Sequence, residues 1–319
     1  MKKLTLLTPV LLFGLIGCNN SQPEHVKLNE AIYSYSEVSD VSEYSLDVKV
    51  LAPTGAPAIS LYNFAGNGNM ETTTNPQTGL MPMFKTNNYD VIIAPTHGGL
   101  NQILNQGANY KLAATITFGN FYIVSMGTDA DQTLNEGDKI IYFQENDIPG
   151  KVFNYLYKDL GLNATAVSDA AQTKLIMSNN GLFDGVQYDY VFTAEPVMSA
   201  SSRTAFINVQ DAFKEKSGNK LMTQASVFVN NNSDPNKLNA FLTVLKLDIQ
   251  NGLNNPDLIK EKIETLGSVE AQQSTFGVPG AMAKKVSLNN GFGLGFKAAS
   301  EIKEDIVTFM SIISPNLDL

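Results

Sequence analysis

The sequence is poor in the residues that usually build metal and redox sites. Its 319 residues include one cysteine, two histidines and no tryptophan. A single cysteine excludes a disulfide framework and any cysteine-based zinc or iron–sulfur site. We therefore expect neither a metal nor a cofactor.

Positive charge is also scarce. Lysine and arginine total 22 against 31 aspartates and glutamates, the formal net charge is −9, and Arg203 is the single arginine. An acidic surface without a basic stripe repels phosphate backbones, so nucleic acid is not an expected partner. The chain lacks the G-x-S-x-G, G-x-x-x-x-G-K-[ST] and H-E-x-x-H patterns of hydrolases, nucleotide-binding enzymes and metalloproteases. These absences predict that the protein is not an enzyme.

The apolar run at the N-terminus is too short to span a bilayer. Leu4–Gly17 has 14 residues, whereas a spanning helix needs ~20. Behind the basic start at Lys2 and Lys3, the run predicts a signal peptide over residues 1–17. It ends in LIGC, which resembles the lipobox of bacterial lipoproteins. The resemblance implies that Cys18 is acylated and anchors the mature chain to the extracytoplasmic face of the cell membrane; a plain secretory peptide with an incidental cysteine is the alternative.

The mature chain divides into a spacer and a larger folded part. Residues 18–45 are polar and rich in Ser, Glu and Asn, which predicts a flexible spacer with His25 in solvent. The remaining length exceeds the usual size of one core, so we expect two lobes.

The order of strand, small-residue loop and helix start recurs four times. The predicted strands are Leu46–Ala52, Tyr89–Ala94, Lys139–Phe143 and Tyr188–Thr193. This order predicts an α/β fold with parallel sheets. In such sheets ligands bind outside the carboxyl ends of the strands, where helices begin.

The rest of the chain gives weaker patterns. We expect strands at 114–125 and 225–230, a loop between Gly66 and Thr86, and a closing helix at 301–313. The glycine-rich segment Gly291–Gly295 has no strand before it in the register of a dinucleotide loop, so we interpret it as a turn before the closing helix.

Several segments, in order, resemble one protein family. They are LAPTGAP at Leu51–Pro57, YDVIIAPT at Tyr89–Thr96, the stretch Tyr110–Asn120, DYV and AEP within Asp189–Pro196, and the helix starting at Glu301. Together they resemble the extracytoplasmic solute-binding proteins of ABC transporters, in the branch for nitrate, sulfonates, taurine and thiamine precursors. A cysteine-rich motif found in a related fungal pyrimidine synthase is absent here.

The resemblance implies a two-lobe, periplasmic-binding-protein-like (type II) fold with two crossover strands. Residues 46–118 and 231–319 would form the first lobe and 119–230 the second. The lobes would close on a small molecule and deliver it to a separate membrane permease and its ATPase, and the protein would be a monomer.

Projected onto that fold, the strand-end loops give twelve candidate ligand contacts. They are Thr54, Gly55, Ala56, Thr96, His97 and Gly98 in the first lobe, Phe118, Gly119 and Asn120 in the crossover, and Asn146, Asp147 and Glu195 in the second lobe. Four have simpler alternatives: His97 as an exposed loop residue, Asp147 as a helix cap, Glu195 as a solvated acid and Phe118 as core.

The candidate contacts favour one ligand class over another. Asp147 and Glu195, with a single arginine in the chain, favour a neutral or cationic heterocycle of the thiamine, pyrimidine-precursor or riboflavin kind. Free backbone N–H groups at Gly55, Ala56 and Gly98 would instead suit a sulfonate or similar anion. A surface receptor without a transport role, built on the same fold, is a further alternative.

Overall fold

The structure, a computed structural model, describes residues 27–39, 41, 47–127, 133–201, 203 and 206–319. The predicted signal peptide, the anchor Cys18 and His25 lie outside these residues. Within the described ranges, no helix has the length and apolar character needed to cross a membrane.

Thirteen strands occur in the described residues, numbered here in chain order. They are β1 (Val50–Pro53), β2 (Met70–Thr73), β3 (Val91–Pro95), β4 (Tyr110–Thr117), β5 (Phe121–Ser125), β6 (Lys139–Phe143), β7 (Asn163–Val167), β8 (Leu182–Phe183), β9 (Val186–Gln187), β10 (Tyr190–Ala194), β11 (Phe206–Asn208), β12 (Ala225–Asn230) and β13 (Leu294–Ala298).

Twelve α-helices accompany them in the same ranges. They are α1 (Leu28–Ala31), α2 (Ala56–Ile59), α3 (Thr96–Leu104), α4 (Ile148–Tyr157), α5 (Ala170–Ser178), α6 (Val197–Ala200), α7 (Val209–Lys216), α8 (Pro235–Asn254), α9 (Pro256–Glu264), α10 (Val269–Phe276), α11 (Gly280–Ser287) and α12 (Lys303–Ile313).

The first lobe is built on a six-stranded sheet in the order β13-β4-β12-β3-β1-β2. β1 runs parallel to β2 and β3, whereas β12 runs antiparallel to both β3 and β4, and β13 antiparallel to β4. The sheet is therefore mixed, and the expectation of purely parallel sheets is wrong. The reason is that β12 enters from the other lobe and needs no helical crossover from a neighbouring strand.

The second lobe is built on a five-stranded sheet in the order β11-β5-β10-β6-β7. The segment predicted as one strand at 114–125 breaks at residues 118–120, where β4 of the first sheet ends and β5 of the second begins. This break is the first crossing between the lobes. The second crossing runs through residues 217–224, between α7 and β12.

Two predicted lobe boundaries need correction. β12 lies in the first sheet, so the second lobe ends before Ala225 and not at residue 230. Helix α12 packs on the second lobe, although residues 231–319 were all predicted to belong to the first lobe. The rings of Phe309 in α12 and Phe213 in α7 lie 5.8 Å apart. Lys151 Nζ in α4 donates to the carbonyl oxygen of Ile313 at 2.7 Å. The apolar face of a helix can be recognised in the sequence, but the sequence does not indicate which lobe that face packs against.

The predicted spacer is not flexible throughout. Leu28 and Ala31 are buried, and Ile32 forms a β-bridge with Leu112. The backbone N–H of Tyr33 donates to the Leu112 carbonyl at 2.9 Å. A short apolar series in a polar stretch was enough to dock residues 27–39 on the first lobe.

Two other segments predicted without strands contain them. The predicted loop 66–86 includes β2, an edge strand with little burial. Its sequence, METT, lacks the alternation of apolar and polar residues that identifies strands. After the glycine-rich turn, β13 begins at Leu294, before the closing helix.

Candidate ligand-binding cleft

A cavity of about 490 Å³ lies between the two lobes. Pro95 and His97 line it from the first lobe, Phe143 and Asp147 from the second, and Asn120 from the first crossing. These residues lie at or just after the carboxyl ends of β3 and β6, or join the two sheets. The cavity thus occupies the place that α/β sheets offer to a ligand.

Side-chain amides dominate the polar lining of this cavity. The amides belong to Asn75, Gln77, Asn120, Gln144 and Gln224. Gln224 Nε2 donates to Asn120 Oδ1 at 3.1 Å, which ties the second crossing to the first. Gln224 Oε1 is buried and has no partner among the described residues. The lining therefore presents a buried acceptor that no described residue satisfies.

His97 is the second residue of α3 and is partly buried. Its Nδ1 is buried without a partner among the described residues. Burial lowers the pKa of His97 below its usual 6.5, Asp147 raises it, and Lys151 lowers it. The imidazole is therefore neutral at pH 7, with one nitrogen available as donor and the other as acceptor.

Asp147 has both roles that the sequence left open. It is the N-cap of α4, with Oδ1 accepting from the Ile148 N–H at 2.8 Å, and it also lines the cleft. Two adjoining cavities extend the cleft and share His97 with it: Asn146 lines one of about 540 Å³ and Gly98 one of about 430 Å³.

The predicted loop Thr54–Ala56 is absent from the lining of all three cavities. The Gly55 N–H, predicted to be free for an anion, donates to the Phe276 carbonyl at 3.0 Å, and the Thr54 N–H to Thr73 at 2.9 Å. The end of α10 therefore covers this loop. The sequence analysis predicts no helix at α10, so it gives no sign that these N–H groups are used within the protein.

Thr96 and Glu195 are used within the protein rather than in the cleft. The hydroxyl of Thr96 is buried against Ser226 Oγ at 2.7 Å. Glu195 lies just before Pro196, the N-cap of α6, and its two carboxylate oxygens accept from the Ser199 N–H at 2.9 Å and the Ser199 hydroxyl at 2.8 Å. Burial raises the pKa of Glu195, while the Ser199 hydrogen bonds and Lys285 lower it. The prediction of a cleft-facing Glu195 is wrong, because the turn of α6 folds back onto the carboxylate.

Phe118 and Gly119 lie on the other side of the first crossing from Asn120. They line a separate cavity, with Phe118 half-buried. Gly119 has a φ of 104°, so the chain turns here instead of continuing as a regular strand, and the alternation that would place residues 118 and 120 on one side does not hold. Sequence reasoning missed Gln77, Phe143 and Gln224. Two signals were available: Phe143 ends a predicted strand, and Gln224 directly precedes one.

No family model matches the chain, and no curated protein matches it significantly. Among solved structures, the chain is similar to one described as an ABC transporter from Parabacteroides distasonis, with a TM-score of 0.64 and 15% identity over 84% of this chain and 92% of that one. At this identity the similarity shows a shared two-lobe α/β fold. A protein from Archaeoglobus fulgidus is also similar, with a TM-score of 0.51 and 11% identity over 85% of this chain and 98% of that one.

Proposed function

We propose that the chain is the substrate-binding protein of an ABC importer, without enzymatic activity. It would be anchored through Cys18 on the extracytoplasmic face of the membrane. It would capture a small neutral heterocycle between its lobes and pass it to a membrane permease with its ATPase. The observation that carries this proposal is the cavity of about 490 Å³ lined from both lobes and from both crossings.

The size and the walls of the cavity support a small ligand. Cavities of about 300–1,000 Å³ hold small molecules and cofactors in proteins. A ligand that contacts both lobes stabilises their closed arrangement, because it gains contacts there that the open form lacks. Phe121 and Phe143 add apolar surface to the amide lining, which suits the faces and the polar edge of a heterocycle.

The donors and charges of the cleft favour a neutral ligand over an anion. The N–H groups of Thr96, Ile148 and Gly150 at the starts of α3 and α4 already donate to Gln224, Asp147 and Gln144. Lys151 lines both adjoining cavities, but its Nζ already donates to the Ile313 carbonyl oxygen at 2.7 Å, and Asp147 lines one of the same cavities. Since Glu195 does not line the cleft, the case for a cation is also weaker than the sequence indicated.

The first experiment is to identify what the purified chain binds. Small molecules released on denaturation are measured by mass spectrometry, and calorimetry compares a neutral panel, the pyrimidine precursor of thiamine and riboflavin, with a panel of alkanesulfonates. We expect binding by a member of the first panel and none by the second. Tight sulfonate binding would overturn the ligand class, and binding by neither panel with nothing released would count against capture of such nutrients.

A matched pair of variants places the ligand. Gln224→Met keeps the volume of the side chain but removes its amide, so affinity should fall about tenfold if a hydrogen bond worth ~1.4 kcal/mol is lost. Gln250→Met makes the same change at an exposed position of α8 and should leave affinity unchanged. Equal affinities in both variants would show that the ligand binds elsewhere.

A further inference from the structure

We infer that the protein has a second small-molecule site, on the side of the crossings away from the cleft. It is a cavity of about 400 Å³ lined by Phe118 and Leu221 from the two crossings, Tyr122 of β5, Gln210 of α7, and Gly293 and Gly295 around the start of β13. It shares no lining residue with the cavity between the lobes. The chemistry of its walls suits a small planar ring that carries an amide or lactam edge.

Gln210 is the polar group that defines this site. Both of its amide atoms, Nε2 and Oε1, are buried and without a hydrogen-bond partner among the described residues. Its backbone N–H donates to Asn208 Oδ1 at 2.9 Å, which fixes Gln210 at the start of α7. A buried amide that makes no hydrogen bond is costly. A ligand with a donor and an acceptor side by side would satisfy both atoms at once.

Phe118 supplies an aromatic surface beside that amide. A Cβ placed on Gly119 would lie 2.8 Å from Gln210 Oε1, so the amide lies against the residue that follows Phe118. A Cβ on Gly295 would lie 3.0 and 3.2 Å from two ring atoms of Phe118. The ring therefore packs closely on backbone, and as a half-buried residue lining the cavity it offers a flat partner for a planar ligand.

The charges around the cavity do not select an ion. Asp211, Lys214 and Lys297 all line it, so both signs are present. This mixed lining leaves the amide and the aromatic ring as the specific features.

The position of the cavity links it to movement of the lobes. Its walls include both crossings, and Tyr122 of the second lobe donates its hydroxyl to the Gly291 carbonyl of the first at 3.3 Å. A molecule bound here would contact both segments through which the lobes rotate. Its binding would then favour one lobe arrangement and be coupled to binding in the cleft.

Benzamide, an aromatic ring with a primary amide, is the probe that tests the proposal. Its binding to the full mature chain is titrated at millimolar concentration by saturation-transfer NMR, beside benzoate, which has the ring but no donor. We expect saturable binding of benzamide and binding of benzoate at least tenfold weaker. Absence of saturable benzamide binding overturns the proposal.

Three methionine variants locate the probe. Gln210→Met should weaken benzamide binding about tenfold or more, because two hydrogen bonds are removed. Gln224→Met in the cleft and the surface control Gln250→Met should leave it unchanged. Without probe, Gln210→Met should unfold at the same or a higher temperature than the parent chain, because it removes two unsatisfied buried atoms. If benzamide binding is lost in Gln224→Met but kept in Gln210→Met, the proposal of a second site is overturned. The proposed function of the cleft between the lobes would not be affected by that result.

Discussion

The adjacent glycines Gly98 and Gly99 at the start of α3 provide a sensitive test of how the cleft is built. A Cβ on Gly99 would lie 2.2, 2.3 and 2.7 Å from three ring atoms of Phe228 in β12. A Cβ on Gly98 would meet only the end of Met81, with the sulfur at 3.0 Å and the methyl at 3.1 Å. The Phe228 ring is fully buried and packs against Phe84 at a ring distance of 5.4 Å, so it cannot move aside cheaply.

The magnitudes follow from two opposing effects. Replacing a helical glycine by alanine stabilises by up to about 1 kcal/mol. Forcing an extra methyl group into a packed core costs about 1–3 kcal/mol, and three contacts under 3.0 Å place Gly99 at the upper end. Gly99→Ala should therefore lower the free energy of unfolding by about 2 kcal/mol. Gly98→Ala should be neutral or stabilising by up to about 1 kcal/mol, because the Met81 side chain can rotate.

Urea unfolding of the two variants and the parent chain measures both values. Because α3 carries His97 into the cleft, Gly99→Ala should also weaken binding of whichever molecule the chain retains on purification. The reasoning is refuted if the two variants are equally stable, since only the contact with Phe228 separates them.

Three further predictions concern the anchor, the cleft and the first sheet. Cys18→Ala should abolish labelling by radioactive palmitate and release the protein into the soluble fraction; labelling that persists contradicts the lipid anchor. Because the folded pKa of His97 lies below its usual 6.5, the unfolded chain takes up the proton first, and stability should fall by up to ~1.4 kcal/mol per unit as pH drops below 6.5. Thermal unfolding of His97→Gln should lack this decline, and an identical decline would exclude His97 as its source. Burial raises the pKa of Asp90, but hydrogen bonds from Ser233, the Lys49 N–H and Lys237 outweigh it, so the pKa is lowered. Asp90→Asn should therefore lower the free energy of unfolding by about 2 kcal/mol at pH 7. In urea unfolding this difference should shrink as pH falls through the folded pKa of Asp90, and a constant difference would contradict the charge argument.

The sequence by itself determined the class of fold and the best-defined elements. β6 and β12 have the predicted bounds, and α8 and α9 begin at Pro235 and Pro256, a residue type that favours the first turn of a helix. These elements have strong local signals, because apolar periodicity, N-caps and proline at the first helical turn act within a few residues. The same local rules placed His97, Asn120 and Asp147 near strand ends, where the structure brings them into one cleft.

The tertiary structure decided which loops reach the cleft. Thr54–Ala56 and Glu195 also follow strands, yet α10 covers the first and α6 folds back on the second. Whether a strand-end residue faces a ligand depends on what packs beside it, and that neighbour is distant in sequence or has a weak local pattern. Short-range rules carry no information about such a contact.

The tertiary structure also decided how the lobes are divided. β12 and α12 read as an ordinary strand and helix, but β12 pairs in the first sheet and α12 packs on the second lobe. The residues of a buried strand do not show which sheet it joins, because its backbone can form hydrogen bonds in either one. An apolar helix face can likewise pack on the core of either lobe. The choice depends on the path of the whole chain, which crosses between the lobes at residues 118–120 and again at 217–224.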